Sequence, residues 1–308
     1  MVRFVLSRLV HAAGVLVVVS LITFGIISLA PGGPDAMIDP AATAQDREFM
    51  RRQLGLDKPV HVRYVVWAKG ILRGDFGRSF TEGSKVLELI GDRLPATILL
   101  TGTAFLAAIA AAIPAGILSA LRPYSTTDYA VTAFSFFGVS IPSFWFGIML
   151  IIIFAVQWRV LPAAGMATVG ADFSLVDRAR HLVMPTAVLA TLYMAELARY
   201  TRSAVVQVKA EDYVRTARAK GLPEGGVISR HILRNALIPV VTVIGLRLPR
   251  LVGGAAITES IFAWPGMGRL AIEAAYRRDY PVVLGITIIF AVVVVASNLL
   301  VDLVYGWL

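Results

Sequence analysis

Six stretches of this 308-residue chain are apolar for long enough to cross a lipid bilayer, and few folds survive that constraint. They run over about 12–30, 96–121, 129–156, 182–200, 235–258 and 282–305. A membrane helix needs about 20 apolar residues, because hydrocarbon offers the backbone no hydrogen bonds and the helix must satisfy its own. Composition agrees: 57% of residues are hydrophobic, 16% are charged, and the mean hydropathy is +0.74. A soluble domain carries about 25% charged residues, so a globular enzyme with a large core is excluded. The expected fold class is an all-α membrane protein with six transmembrane helices.

The first segment follows Arg3 and Arg8 and ends at Ser28-Leu29-Ala30, a passable cleavage site. Its apolar run is longer than a signal core and five more spans follow, so we read it as an uncleaved first helix. Orientation comes from the short loops. Residues 201–234 hold seven positive charges, whereas the loops at 157–181 and 261–281 hold three each. Short basic loops stay inside, which places 201–234 and both termini in the cytoplasm. The expected division is residues 1–30 for the cytoplasmic end and first helix, 31–95 for a long extracytoplasmic loop, and 96–308 for the core with five helices. Short helices are expected near 43–54 and 59–72, with turns at "PGGP" and "RGDFG". Trp158 and Trp264 fall where an aromatic belt is expected.

The net charge of +9 is accounted for by anionic lipid and basic inner loops. Nucleic acid is not an expected partner, since the charges are scattered and carry no binding motif. There is no cysteine, hence no disulfide framework and no thiolate metal site. No Walker A pattern, H-E-x-x-H or G-x-S-x-G occurs, and His11, His61, His181 and His231 are far apart in sequence. We therefore assign no catalytic residue, no metal site and no cofactor to this chain. Its pattern is that of a conduit.

Two charges sit inside the fifth apolar segment: Arg247 and Arg250, on either side of Pro249. A positive charge at mid-bilayer costs about 2.5–3.5 kcal/mol on insertion scales unless it faces protein or water. Glu196, in the fourth segment, is the acid deep enough to pair with them. Two readings stand: an Arg–Glu clamp between helices, or arginines that line a pathway and meet a substrate carboxylate.

The densest positive block, "DYVRTARAKGLPEGGVISRHILRN" (212–235), lies between two apolar segments. Residues 204–220 read as a helix with Val206, Ala210, Tyr213 and Ala217 in one apolar stripe. Gly221 is placed to end it in a left-handed turn, and Pro223 suits the first turn of a second helix starting near Glu224, which offers Ile228 and Ile232. The block is expected to be a helix–turn–helix knob. Small residues at Ala217, Ala219 and Gly221 let another surface approach.

Residues 211–241, "EDYVRTARAKGLPEGGVISRHILRNALIPVV", resemble the EAA loop of binding-protein-dependent ABC importer permeases, in the form of the dipeptide, oligopeptide and nickel branch. "RGDFGRSF" (73–80), "RLPATILL" (93–100), "GVSIPSFWFG" (138–147), "FAWPGMGRL" (262–270), "RDYPVV" (278–283) and "NLLVDLVYG" (298–306) resemble its other landmarks, in order. Only Ala217 matches the Glu-Ala-Ala element literally, Arg234 stands where a proline is usual, and Gly225-Gly226 replace charged residues.

The resemblance implies a type I ABC importer permease fold in a bacterial or archaeal inner membrane. The implied partners are a homologous second permease, two ATP-binding subunits that hold ATP and Mg, and an extracytoplasmic substrate-binding protein. In the coupling loop, 204–234, it puts Tyr213, Thr216, Ala217, Ala219 and Gly221 at the ATPase contact, with Glu211 and Arg218 on the rim. The implied substrate is peptide. Nickel chelates, glutathione and oligosaccharides are alternatives within the family, and a stand-alone secondary transporter is the alternative outside it.

Overall fold

The computed structural model describes residues 2–29, 57–247, 249–253 and 255–307, with Gln45 alone between the first two stretches; for 2–5, 250 and 300–307 it describes backbone only. The expected helix at 43–54 and the "PGGP" turn lie outside the described residues. Those residues are helical apart from short turns, the irregular segments 73–85 and 158–174, and one isolated bridge, Arg78 to Lys85.

Among the described residues the helices are, in order, α1 Val2–Leu29, α2 Val60–Leu72, α3 Val86–Leu121, α4 Thr126–Ser140, α5 Ser143–Gln157, α6 Leu175–Lys209, α7 Asp212–Ala219, α8 Glu224–Gly245, α9 Pro249–Val252, α10 Ala256–Ile261, α11 Met267–Tyr276 and α12 Tyr280–Trp307. Among the described residues, five helices are long and apolar enough to cross a membrane. The pair α4 and α5 is apolar enough to make a sixth span when the two are taken together, and it is bent by 103° at the break.

That bend corrects the single span expected over 129–156. Pro142 has no N–H to continue the helix, and it pushes Ile141 into extended backbone at φ −79°, ψ 127°. α5 then relaxes into π-helical turns over Ile151–Gln157, closed by Trp158 N–H donating to Ile153 C=O at 2.9 Å. The fifth segment is corrected too. Its helix begins at Glu224 and stops at Gly245, and the rest is broken into α9 and α10 by Pro249 and Gly253.

Met1–Pro95 with Leu270–Leu308 form one compact unit, and Ala96–Arg269 form another. In the first unit α1 packs along α12. Phe24, Tyr64 and Trp67 join α1 to α2, with ring centroids 5.4 to 5.9 Å apart. Val86 and Ile90 are buried on the first turns of α3, which is why this helix starts before the expected boundary at Pro95. Gly285 lets α12 come close to them, since a Cβ there would lie 2.5 Å from Val86 Cγ1. Asp279, 1% exposed, accepts hydrogen bonds from the Ser79 and Thr81 hydroxyls and from Phe80 N–H at 3.0 Å. Two sequence landmarks, "RGDFGRSF" and "RDYPVV", thus hold each other.

The second unit is built around α6. Gly116 of α3 and Gly138 of α4 both meet it closely; an added Cβ would lie 2.7 Å from Thr201 Cβ and 3.0 Å from Ala195 Cβ. Leu100, Leu189 and Trp264 form one buried cluster, and Met184, Val188 and Phe262 another. Trp264 does not belong to a surface belt. It is fully buried, and its indole N–H donates to Ala96 C=O at 2.8 Å, which removes the cost of sealing that polar group. Beside it Glu259, also fully buried, accepts from the Thr97 hydroxyl and from Arg269 N–H, both at 2.9 Å. The sequence reading missed Glu259 because nothing in its neighbours marks it as interior.

Candidate functional site

The basic block folds as a compact knob. α6 ends at Lys209, whose ammonium donates to Leu121 C=O at 3.2 Å and so satisfies an end carbonyl of α3. The chain turns through Ala210 and Glu211, and α7 starts at Asp212. The helix expected over 204–220 is therefore two helices with a break, and the expected stripe shifts. Val206 and Tyr213 are 39% and 40% exposed, while Val205, Val214, Val227 and Ile232 are fully buried. The buried face of α6 passes through Val205, one residue before the expected position, and after the break that of α7 passes through Val214.

α7 ends in a Schellman motif. Gly221 N–H donates to Arg218 C=O at 2.9 Å and Leu222 N–H to Ala217 C=O at 3.4 Å, with Gly221 at φ +76°. Pro223 opens α8, which widens into π-helical turns over Val227–Leu233. Arg218 spans the turn to Glu224, Nε donating to Oε2 at 3.1 Å and Nη2 to Oε1 at 2.7 Å. That hydrogen-bonded carboxylate raises the pKa of the Arg218 guanidinium. Asn235 of α8 donates to Tyr213 Oη at 2.9 Å and ties the two helices together again.

Of the expected contact residues, Glu211, Tyr213, Thr216, Ala219 and Gly221 lie on the open surface, and Arg218 is half-buried. Ala217 is a correction. It is 5% exposed and packs with Ala120, Val205 and Ala236, so its methyl props the knob from within. Leu222 was missed; it is 43% exposed at the tip of the turn, and its signal was the apolar residue in the Gly-Leu-Pro itself.

Beneath the knob, Arg202 grips Asp128 with two hydrogen bonds, Nε to Oδ1 at 2.7 Å and Nη2 to Oδ2 at 2.9 Å. Ser119 Oγ donates to the same carboxylate at 2.5 Å and Tyr124 N–H at 2.9 Å. Asp128 is 4% exposed and has these four donated hydrogen bonds. The strut fastens α6 to the first turn of α4, with Ser119 of α3 on the same carboxylate. Sequence reading counted Arg202 only as a loop charge.

Deeper in the second unit, Arg247 and Glu196 form an ion pair. Arg247 is in the turn after α8, Glu196 in mid-α6. Arg250, proposed alongside them, has its side chain outside the described residues. The pair adjoins a small enclosed pocket lined by Phe105, Tyr193, Leu197, Val243 and Ile244.

Comparison with known proteins covers nearly the whole chain. Residues 112–308 match the family described as "Binding-protein-dependent transport system inner membrane component", and residues 1–101 match its N-terminal counterpart. The oligopeptide transport system permease protein AppB of Bacillus subtilis (strain 168) is 44% identical over 99% of this chain and 98% of its own length. The dipeptide transport system permease protein DppB of Escherichia coli (strain K12) is 38% identical over 99% and 97%. A crystal structure of an amino acid ABC transporter with histidines shares the fold, with a TM-score of 0.54 at 17% identity, over 72% of this chain and 95% of that one.

Proposed function

The chain belongs to the inner-membrane components of binding-protein-dependent transport systems, and on that premise we propose that it is the permease subunit of an ATP-driven importer of peptides. The observation that carries the reading is end-to-end likeness to permeases named for oligopeptides and dipeptides. The chain itself is a multi-pass transport component and not an enzyme.

We infer that it pairs with a homologous permease, that two ATP-binding subunits holding ATP and Mg dock on the cytoplasmic side, and that an extracytoplasmic binding protein delivers the peptide. The knob is the docking element, offering Glu211, Tyr213, Thr216, Ala219 and Leu222 around the Gly221 turn. What supports this is its construction: a buried core shared with α3 and α6, a bridged turn and the Asp128–Arg202 strut, which join the knob to the long helices. ATP binding would close the ATPase pair and rock the spans toward the outward-facing state, and hydrolysis would reset them. Such alternating access is a rigid-body change biased by ligands at distant sites. The Arg247–Glu196 pair, with Arg250 near it in sequence, is where we put the pathway.

The test is uptake into vesicles by the complex purified through a tag on this chain. Vanadate-sensitive, ATP-dependent uptake of peptide, only with all partners present, is expected. Uptake by the chain alone on a proton gradient would contradict the reading and favour a secondary transporter. ATP-driven uptake of nickel chelates, glutathione or oligosaccharides but no other peptide would correct the substrate alone.

A further inference from the structure

α8 stops at Gly245, and Arg247 sits in the short turn before α9. A helix broken at membrane depth is tolerated only where protein or a water-filled path satisfies the freed backbone. Here the protein supplies part of that satisfaction, with the Thr101 hydroxyl donating to Leu251 C=O at 2.6 Å. Interrupted helices of this kind are where transporters hold charged ligands.

The ion pair at the break is one direct contact, Arg247 Nη1 against Glu196 Oε2. Glu196 Oε2 is sealed from solvent against the Arg247 guanidinium, yet has no aligned hydrogen bond. The two side chains remain 22% and 39% exposed. The guanidinium fork is built to hold a carboxylate with two parallel hydrogen bonds, and Glu196 does not take that geometry. The adjoining pocket, about 10 Å³, has room for about one water molecule and none for a peptide.

We propose that Glu196 stands on Arg247 in the position of a peptide's C-terminal carboxylate, and that a peptide with both termini free displaces it. Charge balance selects this ligand class. A lone anion arriving on Arg247 leaves the Glu196 carboxylate at membrane depth without its counter-charge. A zwitterion brings an ammonium for Glu196 as it takes Arg247, so one neutral pair becomes two. This inference rests on the peptide-import reading.

The test uses the complete importer in vesicles with ATP, comparing trialanine, N-acetyl-trialanine and trialanine amide at concentrations that saturate the binding protein. The binding protein is a separate chain and is identical throughout, so changes in uptake ratio report on this site. In Glu196→Gln the ratio of acetylated to free peptide should rise by about tenfold, the scale of one charge-assisted hydrogen bond. In Arg247→Met the preference for free peptide over its amide should vanish. If Arg247→Met does not assemble, the Glu196→Gln ratio decides. Ratios unchanged from wild type overturn the inference while leaving peptide import intact. A wild-type complex that imports none of the three peptides defeats the peptide reading, and this inference with it.

Discussion

Arg218 and Glu224 close the Gly221 turn from either side with two hydrogen bonds, so the tip of the knob is a bridged loop and not a free one. Glu224 is exposed and Arg218 half-buried, and ion pairs open to solvent in this way add little to global stability. Their effect should be local. Arg218→Ala is expected to leave the melting temperature near wild type while lowering peptide uptake per ATP hydrolysed. Uptake per ATP equal to wild type would show that the bridge is idle in transport.

Gly221 should tolerate asparagine better than alanine. Its φ of +76° is left-handed, and a Cβ there would meet nothing within 4 Å, so strain and not crowding sets the cost. Gly221→Ala is expected to destabilise the knob by about 1 kcal/mol and to uncouple hydrolysis from uptake, with Gly221→Asn milder because Asn visits the left-handed region more readily. Paired ATPase and uptake assays check the order. Equal effects of Ala and Asn would refute it.

Removing one end of the Asp128–Arg202 strut leaves the other without its partner. Asp128→Ala should lower stability by about 3 kcal/mol, the scale for breaking a buried pair. Adding Arg202→Met should recover part of that loss, because no unpaired guanidinium remains. Thermal unfolding of the detergent-solubilised complex measures both, and additive losses would contradict the assignment.

Two glycines make opposite predictions. A Cβ on Gly266 would fall on the Glu259 carboxyl group, whereas one on Gly225 meets nothing within 4 Å. Gly266→Ala should cost about 1–3 kcal/mol by overpacking. Gly225→Ala, at an open position in the first turn of α8, should stabilise by roughly 0.5–1 kcal/mol. The same melting assay separates them by sign.

Long apolar runs and the Gly-Leu-Pro turn were legible because membrane helices and left-handed caps depend on local composition. Val60–Leu72 and the Gly221 cap formed where the sequence put them. What local pattern does not hold is the direction of a chain after a break. The break at Ala210–Glu211 left Val206, Ala210 and Tyr213 exposed while Ala217 stayed buried, and Pro142 turned one expected span into two helices. Pairing of Glu196 with Arg247 was readable, since two opposite charges in neighbouring apolar segments have few other partners. Asp128, Glu259 and Asp279 were not, because each is stabilised by donors from distant sequence: Arg202, Thr97 and Ser79.

The most direct measurement of the coupling account uses the absence of native cysteine. Leu222→Cys introduces a single thiol at the tip of the knob, which is treated with a short cross-linker in the assembled, transport-competent complex. The account predicts a covalent product with an ATP-binding subunit whose yield changes between nucleotide-free and ATP-bound states. Labelling of that thiol by an impermeant reagent from the extracytoplasmic side, or no product with any ATP-binding subunit in a complex that transports, would contradict it.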